Sequence, residues 1–109
     1  MKNKNIIKKN HHFQRIISKK RFQKARSFVI YYVKSDELNF KYGVSVGKKL
    51  GNAVIRNKIK RQIRQMVSKR IDSLNNKKLK IVIMARNEFL NRSFEYNEKE
   101  LEKLLNSIY

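Results

Sequence analysis

Residues 43–65, GVSVGKKLGNAVIRNKIKRQIRQ, decide the fold. The stretch begins inside an alternating segment, residues 40–46 (FKYGVSV), which reads as a strand. Residues 47–51 form a loop between two glycines, and Asn52 stands where a helix N-cap is needed. A helix is predicted from residue 53 to about 71. Ile55, Ile59, Ile63, Met66 and Val67 recur at the helical period and are expected to face a core. Asn57, Lys60, Arg61, Arg64 and Ser68 fall on the opposite side.

Outward from this stretch, residues 27–34 (SFVIYYVK) are β-branched and aromatic and read as an earlier strand. A polar turn over residues 35–39 suggests that this strand runs antiparallel to the one at 40–46. Residues 80–85 (KIVIMA) form a continuous apolar run, as expected of a central strand buried on both faces. Before the first strand, Asn10 is a candidate cap for a short helix carrying Phe13, Ile16 and Ile17. After the last, an amphipathic helix runs through Leu101, Leu104, Leu105 and Ile108, capped by either Ser93 or Asn97. The expected order is α-β-β-α-β-α. It implies an α+β fold, an α/β sandwich with a mixed sheet of four strands or fewer packed against helices. Proline is absent and glycine occurs only at 43, 47 and 51, so residues 1–109 are expected to form a single domain.

Charge defines the partner class. Twenty-eight Lys and Arg face eight Asp and Glu, a formal net charge of +20. No acid precedes Asp36, and none occurs between Leu38 and Ile71. The acids gather instead near the C-terminus, at Glu88, Glu95, Glu98, Glu100 and Glu102. A field of one sign on part of the surface points to a polyanion, and a nucleic acid is the favoured partner. Arg56, Lys58, Lys60, Arg61 and Arg64 stud the first three turns of the long helix, and Lys48 and Lys49 precede its N-terminus, where backbone N–H groups also favour phosphate. An ordinary solvated helix face would mix in Glu for i,i+4 pairing, and this one has none.

Other chemistries find little support. The chain has no Cys, which removes disulfides and thiolate metal sites. Adjacent His11 and His12 diverge by roughly 100° on a helix and cannot share one metal. Gly43 and Gly47 have the wrong spacing for a phosphate loop, and Lys49 stands where that motif needs Ser or Thr. No carboxylate pair or activated nucleophile is evident, so no catalytic residue, metal site or protein-bound cofactor is expected, and no small-molecule substrate. Neither a secretory signal nor a membrane span is present, so the expectation is a cytoplasmic protein with no membrane partner. Residues 1–8 are expected to be disordered until RNA binds.

The same residues carry a resemblance. GVSVGKKLGNAVIRNKIKRQIRQ is similar to the signature of the protein subunit of bacterial ribonuclease P, in which a strand and a Gly-Asn cap lead into an Arg-Asn-Arg helix. Here the triplet is Arg56-Asn57-Lys58, followed by Lys60, Arg61 and Arg64, with Lys replacing Arg at the third position. The segments KKNHHFQ, FVIY and IVIMAR resemble that family's opening helix, aromatic strand and central strand, so the likeness covers nearly the whole chain. It implies a ribonucleoprotein endoribonuclease whose RNA subunit, using Mg2+, removes the 5′ leader from precursor tRNA. Lys48, Lys49, Asn52, Arg56, Asn57, Lys58, Lys60, Arg61 and Arg64 would dock on the RNA subunit. Phe13, Ile17 and Tyr31 would hold the leader in a cleft between first helix and sheet, Ile17 standing where the family often has a second Phe. The competing reading is a ribosomal or ribosome-assembly protein with no role in tRNA processing.

Overall fold

The computed structural model describes residues 5–37 and 39–108. Helix α1 (Asn10–Ser18) is followed by strands β1 (Phe22–Lys24), β2 (Phe28–Lys34) and β3 (Lys41–Ser45). A 3-10 turn (Lys48–Leu50) leads into α2 (Ala53–Ser68), then the short α3 (Ile71–Leu74) and strand β4 (Leu79–Ala85). A second 3-10 segment (Asn87–Asn91) precedes α4 (Phe94–Ser107). The result is the expected α+β sandwich on a four-stranded mixed sheet, in the order β1-β2-β4-β3.

Strand β4 is central, as its unbroken apolar run requires. It pairs antiparallel with β2 and parallel with β3. The strand at 40–46 does run antiparallel to the one at 27–34, as expected, but the two are not the paired neighbours that a hairpin reading implies. Alternation reveals which face of a strand is buried but not its neighbour, and β4 inserts between the two. Strand β1 was also not foreseen. Its three residues carry no propensity signal, and antiparallel pairing with β2 defines it, with Phe22 opposite Tyr31 and Lys24 opposite Val29.

The main core lies on the sheet face covered by α2 and α4. Phe28 and Ile30 of β2, Tyr42 of β3, and Ile81 and Ile83 of β4 are buried there against Ile59, Ile63, Met66, Leu101 and Leu105. Burial of its hydroxyl pushes the Tyr42 pKa up, against a smaller opposing pull from nearby Arg64. A smaller cluster lies on the other face, where Ile7, Ile16 and Val82 are buried and Phe13, Ile17, Tyr31, Val33 and Met84 pack around them. The N-terminal segment docks alongside β3: the Ile7 N–H donates to the Tyr42 carbonyl and the Tyr42 N–H to that of Asn5, each at 2.7 Å.

Two caps follow the sequence and one does not. Asn52 Oδ1 accepts the Ile55 N–H at 3.0 Å, and Ser93 Oγ accepts the Tyr96 N–H at 3.1 Å. Asn97 is instead buried, and its Nδ2 donates to the Phe89 carbonyl. Asn10 is the first helical residue of α1 rather than its cap, a position taken by Lys9 without a side-chain bond. Ile55, expected in the core, is 38% exposed. It lies over Gly51, whose φ of 145° is a backbone conformation that favours glycine.

Candidate RNA interface

The first candidate surface is α2 and the loop before it. At roughly 100° per residue, the helix separates its cations into two flanks about the core line of Ile59, Ile63 and Met66. Arg56, Lys60 and Arg64 fall on the flank toward β3, with Asn57 and Arg61 turned to solvent. Arg56 Nε donates to the Gly51 carbonyl at 3.2 Å, which fixes its guanidinium beside the 47–51 loop. Lys48 and Lys49 are exposed on the 3-10 turn of that loop. Asn52 is exposed as well, but its Oδ1 is engaged in capping. Lys58 stands apart. It projects from the other flank, where Ile55, Gln62, Phe89, Leu90 and Phe94 line a pocket of about 330 Å³. The contiguous triplet of the sequence is thus divided in space between two surfaces.

Ion pairing distinguishes the two ends of α2. Just beyond its C-terminus, Lys69 and Arg70 are neutralised by α4. Lys69 Nζ lies 3.1 Å from Glu98, and Arg70 contacts Glu98 at 3.5 Å and Glu102 at 2.6 Å. Among the described residues, Lys48, Lys49, Arg56, Lys58, Lys60, Arg61 and Arg64 form no ion pair, so the field of the first three turns is uncompensated. Such a surface attracts phosphate at long range and releases counterions on binding.

The second candidate surface is the sheet face beneath α1. Register places Phe22, Tyr31, Val82 and Gly43 side by side in one row across all four strands. Phe13 reaches down from α1 onto the Gly43 end of the row. Its ring sits so close that a Cβ built on Gly43 would lie 2.3 Å from Phe13 Cζ. Ile17 and Tyr31 are half-buried in the same cluster, so Phe13, Ile17 and Tyr31 do come together. Sequence reading missed Phe22, which is 48% exposed, with its ring centroid 5.5 Å from that of Tyr31. The signal available was an apolar residue among Lys20, Arg21 and Lys24, too short a run to suggest a strand.

A further cavity, about 720 Å³, opens between α1 and the β2–β3 connection, with Lys8, Lys9, Arg15 and Lys19 among its walls. Glu37 is held there by Lys41 at 2.9 Å and Lys80 at 3.1 Å, and hydrogen bonds from these two lysines keep its carboxyl below the ordinary range. Desolvation, and then the charges of His11, Lys80, Lys9 and Arg15, lower the His12 pKa. Among the described residues no group of three His, Asp or Glu is placed to hold a metal ion, and no helix is long and apolar enough to cross a membrane.

Comparison with known proteins agrees with the geometry. The family described as Ribonuclease P matches residues 1–109. The ribonuclease P protein component of Mesoplasma florum is 59% identical over 105 residues, covering 96% of each chain. That of Mycoplasma capricolum is 47% identical over 108 residues and 99% of each. Among solved structures, the RNase P protein of Staphylococcus aureus superposes with a TM-score of 0.82 at 37% identity, covering 95% of this chain and 94% of that one. The Thermotoga maritima protein gives 0.78 at 28%, covering 89% and 91%. A match that spans the whole chain, on a fold that sets an uncompensated basic helix on one side of the sheet and a half-open aromatic face on the other, establishes that this chain belongs to the ribonuclease P protein family.

Proposed function

We propose that the chain acts as the protein subunit of ribonuclease P, assisting a catalytic RNA in endonucleolytic removal of the 5′ leader from precursor tRNA. The observation that carries this reading is the pairing of two surfaces suited to different parts of an RNA assembly. Cations without acidic partners on α2 and its preceding loop suit the phosphates of a folded RNA subunit, whose backbone is read by charge and shape. Half-exposed aromatic and apolar side chains on the sheet face suit the unstacked bases of a single-stranded leader. Stacking there tolerates sequence variation, because every base presents a π-face.

Chemistry in this reading belongs to the RNA and its Mg2+, while the protein contributes binding and orientation. Lys48, Lys49, Arg56, Asn57, Lys60, Arg61 and Arg64 form the surface for the RNA subunit, with Asn52 fixing the start of α2. Lys58 contacts RNA only where the RNA reaches round to the opposite flank. Phe13, Ile17 and Tyr31 line the leader site. The complex works in the cytoplasm, away from membranes.

The test is cleavage of a 5′-extended precursor tRNA by a bacterial ribonuclease P RNA at low Mg2+, with and without this protein. Strong stimulation, with no cleavage by the protein alone, is expected. Lack of stimulation across protein concentrations, with an RNA that is active alone at high Mg2+, would refute the assignment.

A further inference from the structure

Phe22 is an apolar ring for which the fold has no evident use. It lies on β1, an edge strand of three residues paired only with β2. It belongs to neither buried cluster and leaves 48% of its surface exposed. An exposed aromatic on an edge strand is a liability unless something covers it. Its ring meets that of Tyr31 at 5.5 Å, tilted by 46°, so the two faces diverge rather than close on each other. A planar group can therefore lie against Phe22 without displacing Tyr31.

The surroundings identify the planar group. Side chains alternate along a strand, so Lys24 shares the sheet face of Phe22. Arg21 and Arg26 flank the strand, and no acidic residue precedes Asp36 anywhere in the sequence. An aromatic face bordered by cations fits a nucleobase attached to a phosphate backbone, and Glu100, the acid that α4 brings to this end of the sheet, is engaged by the Ser27 N–H at 2.7 Å. The row from Phe22 to Gly43 crosses three strand spacings, about 14 Å. Phe13 occupies its far end and Tyr31 its interior. Four-stranded sheets that stack two or three successive bases on their aromatics use a comparable span.

We infer that Phe22, with Tyr31 beside it and Lys24 on the adjoining phosphate, forms an additional base-stacking subsite for single-stranded RNA at the β1 end of the sheet face. This subsite rests on the leader-binding role proposed for the sheet face and extends it: leaders long enough to cross the sheet gain a contact that shorter ones lack.

The experiment measures affinity of the reconstituted holoenzyme for precursor tRNAs whose leaders shorten stepwise, and for mature tRNA. Phe22→Ala should weaken binding of the long-leader precursors about five- to tenfold, a modest effect because the ring is half exposed. The loss should vanish below a threshold leader length and be absent with mature tRNA. Phe22→Tyr and Phe22→Trp should retain wild-type affinity, whereas Phe22→Leu, apolar but without a π-face, should behave as Phe22→Ala. Thermal melting of each free variant establishes that it is folded. Wild-type binding by Phe22→Leu, or equal losses for long-leader precursor and mature tRNA, would overturn the subsite. Weaker binding with Phe13→Ala but not with Phe22→Ala would overturn it while leaving the cleft intact. Should neither variant lose affinity, the leader reading falls and the subsite with it.

Discussion

Replacing Gly43 by Ala tests how tightly Phe13 is built into the sheet face. In a strand interior this substitution ordinarily stabilises, by about 0.5–1 kcal/mol, because glycine loses more backbone freedom on folding. Here the new methyl would lie 2.3 Å from Phe13 Cζ and 2.8 Å from both Cε atoms. Carbon atoms in contact rest about 3.5–4.0 Å apart, so the ring must retreat by roughly 1.2–1.7 Å. Neighbouring Ile7, Ile16 and Val82 are buried, which leaves retreat toward solvent as the open route. Overpacking of this kind costs about 1–3 kcal/mol, so the usual sign reverses. Urea denaturation should show Gly43→Ala destabilised by about 0.5–2 kcal/mol after the backbone gain is subtracted. In a Phe13→Ala background the obstacle is gone, and the same substitution should become neutral or stabilising. Such coupling between touching residues is what a double-mutant cycle detects. Equal costs in both backgrounds would refute the packing of Phe13 on Gly43. The holoenzyme should also bind leader-bearing precursor more weakly with Gly43→Ala, while the affinity of the protein for the RNA subunit is unchanged, since α2 is untouched.

Three other outcomes follow from individual side chains. Arg61→Ala combined with Arg64→Ala should flatten the salt dependence of binding to the RNA subunit, by about one unit of logarithmic slope for each phosphate no longer neutralised; an unchanged slope would remove both from the phosphates. Asn5 is buried, and its Nδ2 donates to the Phe40 carbonyl at 2.6 Å and to Asn75 Oδ1 at 2.9 Å. Asn5→Ala should cost about 1–3 kcal/mol in urea denaturation, and an unaltered midpoint would show that the segment is not docked as described. The Glu98 carboxyl is held below its ordinary value of 4.5, first by the hydrogen bond from Lys69, against opposing desolvation, and then by Arg70. With the folded pKa depressed, the pair stabilises the protein above about pH 4.5 and this contribution is lost as pH falls through the folded value. Glu98→Gln should therefore lessen the fall in melting temperature on acidification, and an identical pH profile would exclude the pair from acid sensitivity.

What the sequence disclosed depended on whether local pattern or distant packing determined the feature. The run at residues 80–85 announced a central strand because burial on both faces leaves no polar position in it. Helix α2 was legible through its period and its Asn52 cap. Strand β1 was not, because FQK carries no strand signal and gains its conformation from β2. The parallel partnership of β3 and β4 was equally hidden from the residues, since pairing order is a property of the assembled sheet. In the candidate site, Phe13, Ile17 and Tyr31 converge as the family resemblance implies, yet Lys58 does not join Arg56. Two positions along a helix amount to about 200° of rotation, so neighbours in a motif can face opposite ways. Ile55 illustrates the same limit: its place in the periodic pattern was correct, but the first turn of α2 reaches past the core.

The open sheet face has a geometric origin. Four strands at about 4.8 Å spacing set the outer strand axes about 14 Å apart, whereas one helix with its side chains is about 10–12 Å across. On the α2 and α4 side, two long helices cover the sheet, and the side chains of Phe28, Ile30, Tyr42, Ile81 and Ile83 are all buried. On the other side a single nine-residue helix must suffice. Helix α1 lies over the central strands β2 and β4, with Phe13 reaching Gly43 of β3, and leaves β1 bare. Exposure there rises accordingly, from buried Val82 through half-buried Tyr31 to Phe22 at the edge. A second helix would bury these rings and stabilise the domain, but it would occupy the place proposed for the leader. In a chain of net charge +20, repulsion between copies opposes their association through this uncovered apolar surface, and the same charge attracts the polyanion proposed to cover it. In the proposed function the bare aromatic edge and the excess of cations are therefore two halves of one design, each of which would be a defect without the other.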